Sequence, residues 1–173
     1  MLLCLGMGCV NDIKKVESLS RKSIGIEVAR DINSYYYGPK GMLKGHLTSP
    51  ILYHYLVDTP YTIMNQGLRV EFYNDSMQVS SVLTARIGKY YENTSDILVK
   101  DSVVLVNSKG ERLDCQELHW DPRKQQFYTD KPVRITTPSE IIYGQNLTAP
   151  EDFSWYKLGS TSGQIQADTS IAP

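Results

Sequence analysis

Apolar and polar positions alternate in short runs along most of the chain. From Tyr35 onward these runs are separated by turn signals: Gly38-Pro39-Lys40-Gly41, Ser49-Pro50, Asn65-Gln66-Gly67, Tyr73-Asn74-Asp75, Asn93-Thr94-Ser95-Asp96, Asn107-Ser108-Lys109-Gly110, Asp121-Pro122-Arg123-Lys124 and Thr137-Pro138-Ser139. They carry the Gly, Pro, Asn and Asp that chain reversals demand. Their spacing of roughly 10–15 residues predicts an all-β sandwich or open barrel. No stretch after residue 35 holds a helical period. Residues 13–34 are weakly patterned and read as a linker followed by a first strand near Ile24–Ile32. The last eight residues are polar or small and read as a frayed tail.

The pattern also repeats. At an offset of 30 residues Leu83 aligns with Leu113, Ala85 with Cys115, Tyr90 with Trp120, Ile97 with Phe127, Val103 with Val133 and Leu105 with Ile135. A fainter copy begins at Ile142, with Gly144 in the small position and Leu147 after it. Another precedes, at Leu43-Lys44-Gly45-His46-Leu47. Units of this kind cannot bury their own apolar face and must stack on neighbours. The prediction is a layered β-structure with an apolar interior along the stack.

Composition narrows the function. Lys plus Arg (18) and Asp plus Glu (19) nearly cancel, which argues against nucleic acid as a partner. Hydrophobic residues are 41% of the chain, enough for a folded core. No stretch approaches the roughly 18–20 apolar residues of a membrane span. The three cysteines, Cys4, Cys9 and Cys115, make neither a disulfide framework nor a zinc set. Cys115 lies in a strand-like run and reads as a small buried residue. His46, His54 and His119 sit in no ligand motif. Ser80, Ser81 and Ser160 have no Gly-framed elbow. Glu111, Asp114, Glu117, Asp121 and Asp130 have the spacing of a solvated strand face and its turns. No enzyme, metal or cofactor is expected.

The N-terminus is a short apolar run ending at Cys9, followed by polar sequence. It reads as the end of a secretory segment with a lipoprotein-type cysteine at Cys9. An uncleaved, shortened membrane anchor and a cytosolic N-terminus of chance composition are the other readings. The expected organisation is 1–12 signal or anchor, 13–34 linker and first strand, 35–167 β-domain and 168–173 tail.

One ordered set of motifs carries a resemblance. Asn107, Gly110, Leu113, Leu118 and Trp120 come first. Phe127, Thr129, Asp130, Pro132, Val133 and Ile135 follow, then Tyr143, Gly144 and Leu147. The set resembles the OstA-like repeat of lipopolysaccharide-transport proteins, and the whole stretch from Tyr35 to Ile165 is similar to the LptC family. The resemblance implies an open β-jelly roll, a twisted, V-shaped antiparallel sandwich at the periplasmic face of the inner membrane. It implies Gly41 and Gly144 as the family's sensitive glycines, in a Pro-x-Gly turn and a late Tyr-Gly pair. Lipopolysaccharide is the implied cargo. The implied partners are an ABC transporter of LptB, LptF and LptG and an LptA-type bridging protein, joined by edge-strand pairing. The N-terminal edge near Gly41–Leu47 would meet the transporter, and the C-terminal edge near Ser154–Ala167 the bridge. A free edge also permits self-association.

Strand alternation then selects an interior face. Leu83, Ala85, Val103, Leu105, Leu113, Cys115, Leu118, Trp120, Val133, Ile135, Ile142 and Leu147 are expected to line a lipid groove. The recurrent small residues Ala85, Cys115 and Gly144 either reserve space for acyl chains or relieve crowding between sheets. A carbohydrate-binding or adhesive β-sandwich is the competing reading, and it calls for an aromatic patch on the outer face.

Overall fold

The computed structural model describes residues 25–38 and 41–165. They form β1 (Gly25–Tyr37), β2 (Leu43–Leu56), β3 (Tyr61–Met64), β4 (Leu68–Tyr73), β5 (Val79–Ala85), β6 (Ile87–Tyr91), β7 (Asp96–Asn107), β8 (Arg112–Asp121), β9 (Gln126–Thr129), β10 (Val133–Thr136), β11 (Glu140–Gln145), β12 (Leu147–Pro150) and β13 (Ser160–Ile165). Every strand pair is antiparallel, and no described residue is helical. The all-β expectation holds. Cys9 and residues 1–24 lie outside the described residues, as do Pro39, Lys40 and residues 166–173.

The strands form one sheet that folds on itself into two arms. The first arm runs from the C-terminal half of β2 through β3, β6, the start of β7, the end of β8, β9 and β12. The second runs from the start of β2 through β4, β5, the end of β7, the start of β8, β10, β11 and β13. The long strands β2, β7 and β8 belong to both arms. β3 and β4 are two legs of one bent path, as are β5 and β6, β9 and β10, and β11 and β12. This is the V-shaped jelly roll.

The fold line is written in backbone chemistry. Along it stand Asp31 (φ 52°), Gly67 (φ 96°), Asp101 and Ser102 (φ 60° and 55°) and Asn146 (φ 55°). Left-handed backbone is cheap for Gly and tolerated by Asp and Asn, whereas bulky residues resist it. Asp101 and Ser102 together oppose Gln116, a β-bulge that bends β7 over β8. Adjacent corners are tied together. The Gly67 amide donates to the Arg86 carbonyl at 2.9 Å, and the Arg86 amide to the Asp101 carbonyl at 2.9 Å. The Ser49 hydroxyl donates to the Gly67 carbonyl at 2.8 Å.

Three expectations change here. Ser49-Pro50 and Asn65-Gln66-Gly67 are corners within continuing paths, because the same residues that reverse a chain also bend a strand. The first strand runs beyond Ile32 to Tyr37 and pairs along the length of β2. Gly41–Leu47 is therefore no edge: β2 lies between β1 and β4, and among the described residues β1 is the N-terminal edge. At the other end, among the described residues, β13 pairs with β11 alone, within the stretch expected to form the C-terminal edge.

Candidate functional site: the apolar slot between the arms

Side chains that alternate inward from both arms meet along the slot. On the second arm the register links Leu47, Val70, Leu83, Leu105, Leu113, Ile135 and Ile142 into one aliphatic rung across neighbouring strands. Repeat partners Leu83 and Leu113, and Leu105 and Ile135, share that rung. Next to the fold line a second rung alternates large and small: Leu68, Ala85, Val103, Cys115, Val133 and Gly144. A sheet that bends sharply crowds its inner face there, and small residues on every other strand relieve the crowding. On the first arm Met64, Gly88, Val99 and Leu118 form one rung and Tyr90, Ile97, Trp120, Phe127 and Ala149 another.

Ten of the twelve expected groove residues are buried: Leu83, Ala85, Val103, Leu105, Leu113, Cys115, Leu118, Val133, Ile135 and Leu147. Trp120 and Ile142 are half-buried against the same cluster. All twelve therefore face the space between the arms. That space is packed at its centre, where Leu105, Leu113, Leu118 and Ile135 are fully excluded from solvent. Burial pushes the Cys115 thiol up to about 12, so it is a neutral, small apolar group there.

The mouth opposite the fold line is held shut by aromatic rings. Phe72 of the second arm stands edge-on to Trp120 and Phe127 of the first, with centroids 5.1 Å and 5.4 Å apart. Beyond them residues 151–159 cross the mouth as a strap between β12 and β13. Its Phe153 is fully buried in the core cluster. The slot loosens toward both ends. Leu47 and Leu52 are half-buried near β1, and Ile142, Tyr156 and Leu158 near β13. A cavity of about 360 Å³ opens between Ile142, Tyr156, Leu158 and Gly163.

The two resemblance-derived glycines do different physical work. Gly41 has φ +71° and open space around its missing Cβ, so the turn needs its conformation. Gly144 has no unusual φ. A Cβ there would stand 2.8 Å from both the Ser160 carbonyl oxygen and Leu158 Cδ1, so the site needs its smallness.

Sequence reasoning did not select Phe72, Phe153, Met64 or Gly88 for this site. Phe72 and Met64 fall outside the two repeat copies, and Gly88 lies inside one but opposite Leu118 at the offset of 30, where the repeat shows no matching small residue. A Cβ at Gly88 would meet Leu68 Cδ2 at 2.7 Å, so this glycine lets Leu68 reach across the slot. Phe153 lies in a connection, where no alternation exists to point it inward.

Charge sits at the rim. The His54 Nδ1 is 3.0 Å from Glu27 Oε2 and its Nε2 is 2.7 Å from Glu92 Oε1. The Glu27 carboxylate, with Glu92 assisting, holds the imidazole above its ordinary range. This pair of contacts ties the edge strand β1 to β2 and to the end of β6. On the outside, the first arm bears a rung of Val28, Tyr53, Ile63, Lys89, Leu98, His119 and Tyr128. Several rings on this face pair off with one another. Tyr55 stacks on Tyr61, His119 on Tyr128, and the Lys89 ammonium lies 4.0 Å from the Tyr61 ring centre. Among the described residues, no helix is long and apolar enough to cross a membrane.

Comparison with known proteins agrees with this architecture. The family model described as "Lipopolysaccharide-assembly, LptC-related" matches residues 2–158. No curated protein matches the chain. The match spans most of the chain, and the chain belongs to this family of lipopolysaccharide-transport components.

Proposed function

We propose that this member of the LptC-related family receives lipopolysaccharide from an inner-membrane ABC transporter and passes its acyl chains along the slot to an LptA-type bridging protein. One observation carries the reading. The aliphatic rung from Leu47 to Ile142 continues across seven neighbouring strands without a polar interruption. At about 4.8 Å per strand its six intervals extend roughly 29 Å, longer than an extended acyl chain of the usual length. Each methylene kept from water there is worth about 0.8 kcal/mol.

Among the described residues β1 and β13 each pair on one side only, and these edges supply the connections. β1 is the edge offered to the transporter of LptB, LptF and LptG, and β13 the edge offered to the bridge. Unpaired backbone groups on each can accept another strand, which would join slots end to end. The same edges would support self-association. The N-terminal segment, lipidated at Cys9 or inserted directly, would hold the domain at the periplasmic face of the inner membrane. Mass spectrometry of the mature N-terminus separates an acylated Cys9 from a retained Met1 segment.

The chemistry of the slot is sorting by polarity, with no bond made or broken. Acyl chains replace protein contacts inside while the charged sugars stay in water. The outer aromatic rung favours the competing carbohydrate reading in one respect, since rings suit sugars. Stacking needs free ring faces, however, and one face of each of these rings is already taken within the Tyr55–Tyr61 and His119–Tyr128 pairs.

The test is photocrosslinking in cells from p-benzoylphenylalanine at Leu47 and at Ile142, with Tyr128 as the outward control. Lipopolysaccharide adducts at both slot positions and none at Tyr128 are expected. Adducts at Tyr128 alone would transfer the cargo to the outer face and end the slot reading.

A further inference from the structure

The strap of residues 151–159 is unlike the other connections. Tight turns such as 92–95, 108–111 and 122–125 run over the surface, as connections normally do. The strap instead sends Phe153 into the core, fully buried, with its ring 5.6 Å from the Tyr156 ring. Its backbone there is left-handed, φ 51°, which is costly for a bulky side chain.

A small set of polar contacts holds it down from both arms. From the second arm the Ser81 hydroxyl donates to the Glu151 carbonyl, and Asn107 Nδ2 donates to the Phe153 carbonyl at 3.0 Å. From the first arm the Trp120 indole N–H donates to Glu151 Oε1 at 2.7 Å. The Glu151 amide donates to the Gln125 carbonyl at 3.1 Å. Ser81 and Asn107 are buried polar residues; the Asn107 side chain is shared between the strap and its own turn, where Oδ1 accepts from the Lys109 and Glu111 amides and Nδ2 also donates to Glu111 Oε2. Outside it lies an open pocket of about 390 Å³ bounded by Phe72, Glu151 and Trp155, so the strap has room to move outward.

We propose that the space filled by Phe153 is an acyl-chain subsite that the chain occupies itself, and that the strap lifts when an acyl chain takes its place. The inference rests on the proposed lipid-carrying role and adds to it a specific location and competitor. A side chain buried beside the slot's mouth, on strained backbone, held by contacts that both arms must keep, gives a seat that is filled when empty of cargo and releasable when cargo arrives. The strain at Phe153 favours release, and the contacts from Ser81, Asn107 and Trp120 oppose it.

The experiment uses the full chain and 11-(dansylamino)undecanoic acid as the acyl probe, followed by purified lipopolysaccharide. Phe153→Ala empties the seat and is expected to bind the probe about tenfold more tightly than wild type. Ser81→Ala removes a strap contact while retaining the phenyl ring and the turn that Asn107 builds, and it is expected to shift binding in the same direction. Hydrogen exchange on the wild-type protein supplies a measurement free of folding effects. Adding lipopolysaccharide should speed exchange of the Glu151 and Phe153 amides. Unchanged or slower exchange at these amides with lipopolysaccharide bound would overturn the subsite and leave the transport role intact. Absence of any binding to wild type and both variants would remove the transport role as well.

Discussion

Gly144 and Gly41 should fail for opposite reasons when substituted, and the contrast tests whether the slot's C-terminal side is set by close packing. In Gly144→Ala the new Cβ would stand 2.8 Å from the Ser160 carbonyl oxygen and 2.8 Å from Leu158 Cδ1. Leu158 can turn away, but the carbonyl is fixed by the pairing of Gly144 with Thr161 on β13. Overpacking of this kind costs about 1–3 kcal/mol, and a backbone neighbour puts it in the upper half of that range. At a slope of roughly 2 kcal/mol/M, a loss of about 2 kcal/mol lowers a urea midpoint by about 1 M. If β13 detaches alone, its amides lose protection while the midpoint stays. Gly41→Ala meets no atom within 4 Å and is burdened only by φ +71°. Asn tolerates that conformation, so Gly41→Asn should return close to wild type, whereas Gly144→Asn should be at least as damaging as Gly144→Ala. Urea unfolding and hydrogen exchange of the four variants decide it. A Gly144→Ala protein with the wild-type midpoint and fully protected β13 amides would refute the packing argument.

Three further outcomes follow from the same geometry. Leu105→Ala removes a fully buried side chain from the central rung and should cost about 2–5 kcal/mol in urea unfolding. Burial raises the Glu151 carboxyl above its usual range, so its charged form weakens the fold at neutral pH and this penalty fades as pH falls through the raised value. Glu151→Gln keeps an oxygen for the Trp120 N–H and should therefore raise the thermal midpoint at pH 7 to 8, with the gain shrinking in acid. His54 is held above its ordinary value of 6.5, mainly by its bond to Glu27. Its contribution is present below pH 6.5 and disappears as pH rises through the raised value, so His54→Gln should flatten the pH dependence of thermal stability over that window.

The interior was legible because two periodicities agree. Alternation fixes which side chains share a face, and the 30-residue repeat fixes which strands share a rung. Together they place Leu83, Leu105, Leu113 and Ile135 in line before any contact is known. Trp120 and Ile142 share the inward parity, but they lie at the mouth and at the end of the slot, so they are half-buried. The fold line was not legible. Gly67 and Asn146 carry the same residue types as hairpin turns, and local chemistry does not say whether a chain bends or reverses. Phe153 was out of reach for a different reason: it is buried in a core cluster built from distant strands, and the side chains that hold its segment, Ser81 and Asn107, are far from it in sequence.

A slot closed at its centre and a carrier role are compatible through exchange. The central residues contact each other across the arms, with Phe72 against Trp120 and Phe127. An entering acyl chain would replace these protein contacts with contacts of the same apolar kind. Only the difference between the two sets is left as binding energy, although each methylene withdrawn from water is worth about 0.8 kcal/mol. Transfer between carriers then needs little net free energy at each step. A permanently open groove would lack that property: its aliphatic rung would face water when empty and would hold lipid with the full transfer energy, making release slow. Closure over an apolar rung thus suits a protein that must take up a lipid and also give it away. On the proposed reading, control would then lie where the arms meet, at the aromatic rings and the strap, and the direction of travel would come from partners paired at the β1 and β13 edges.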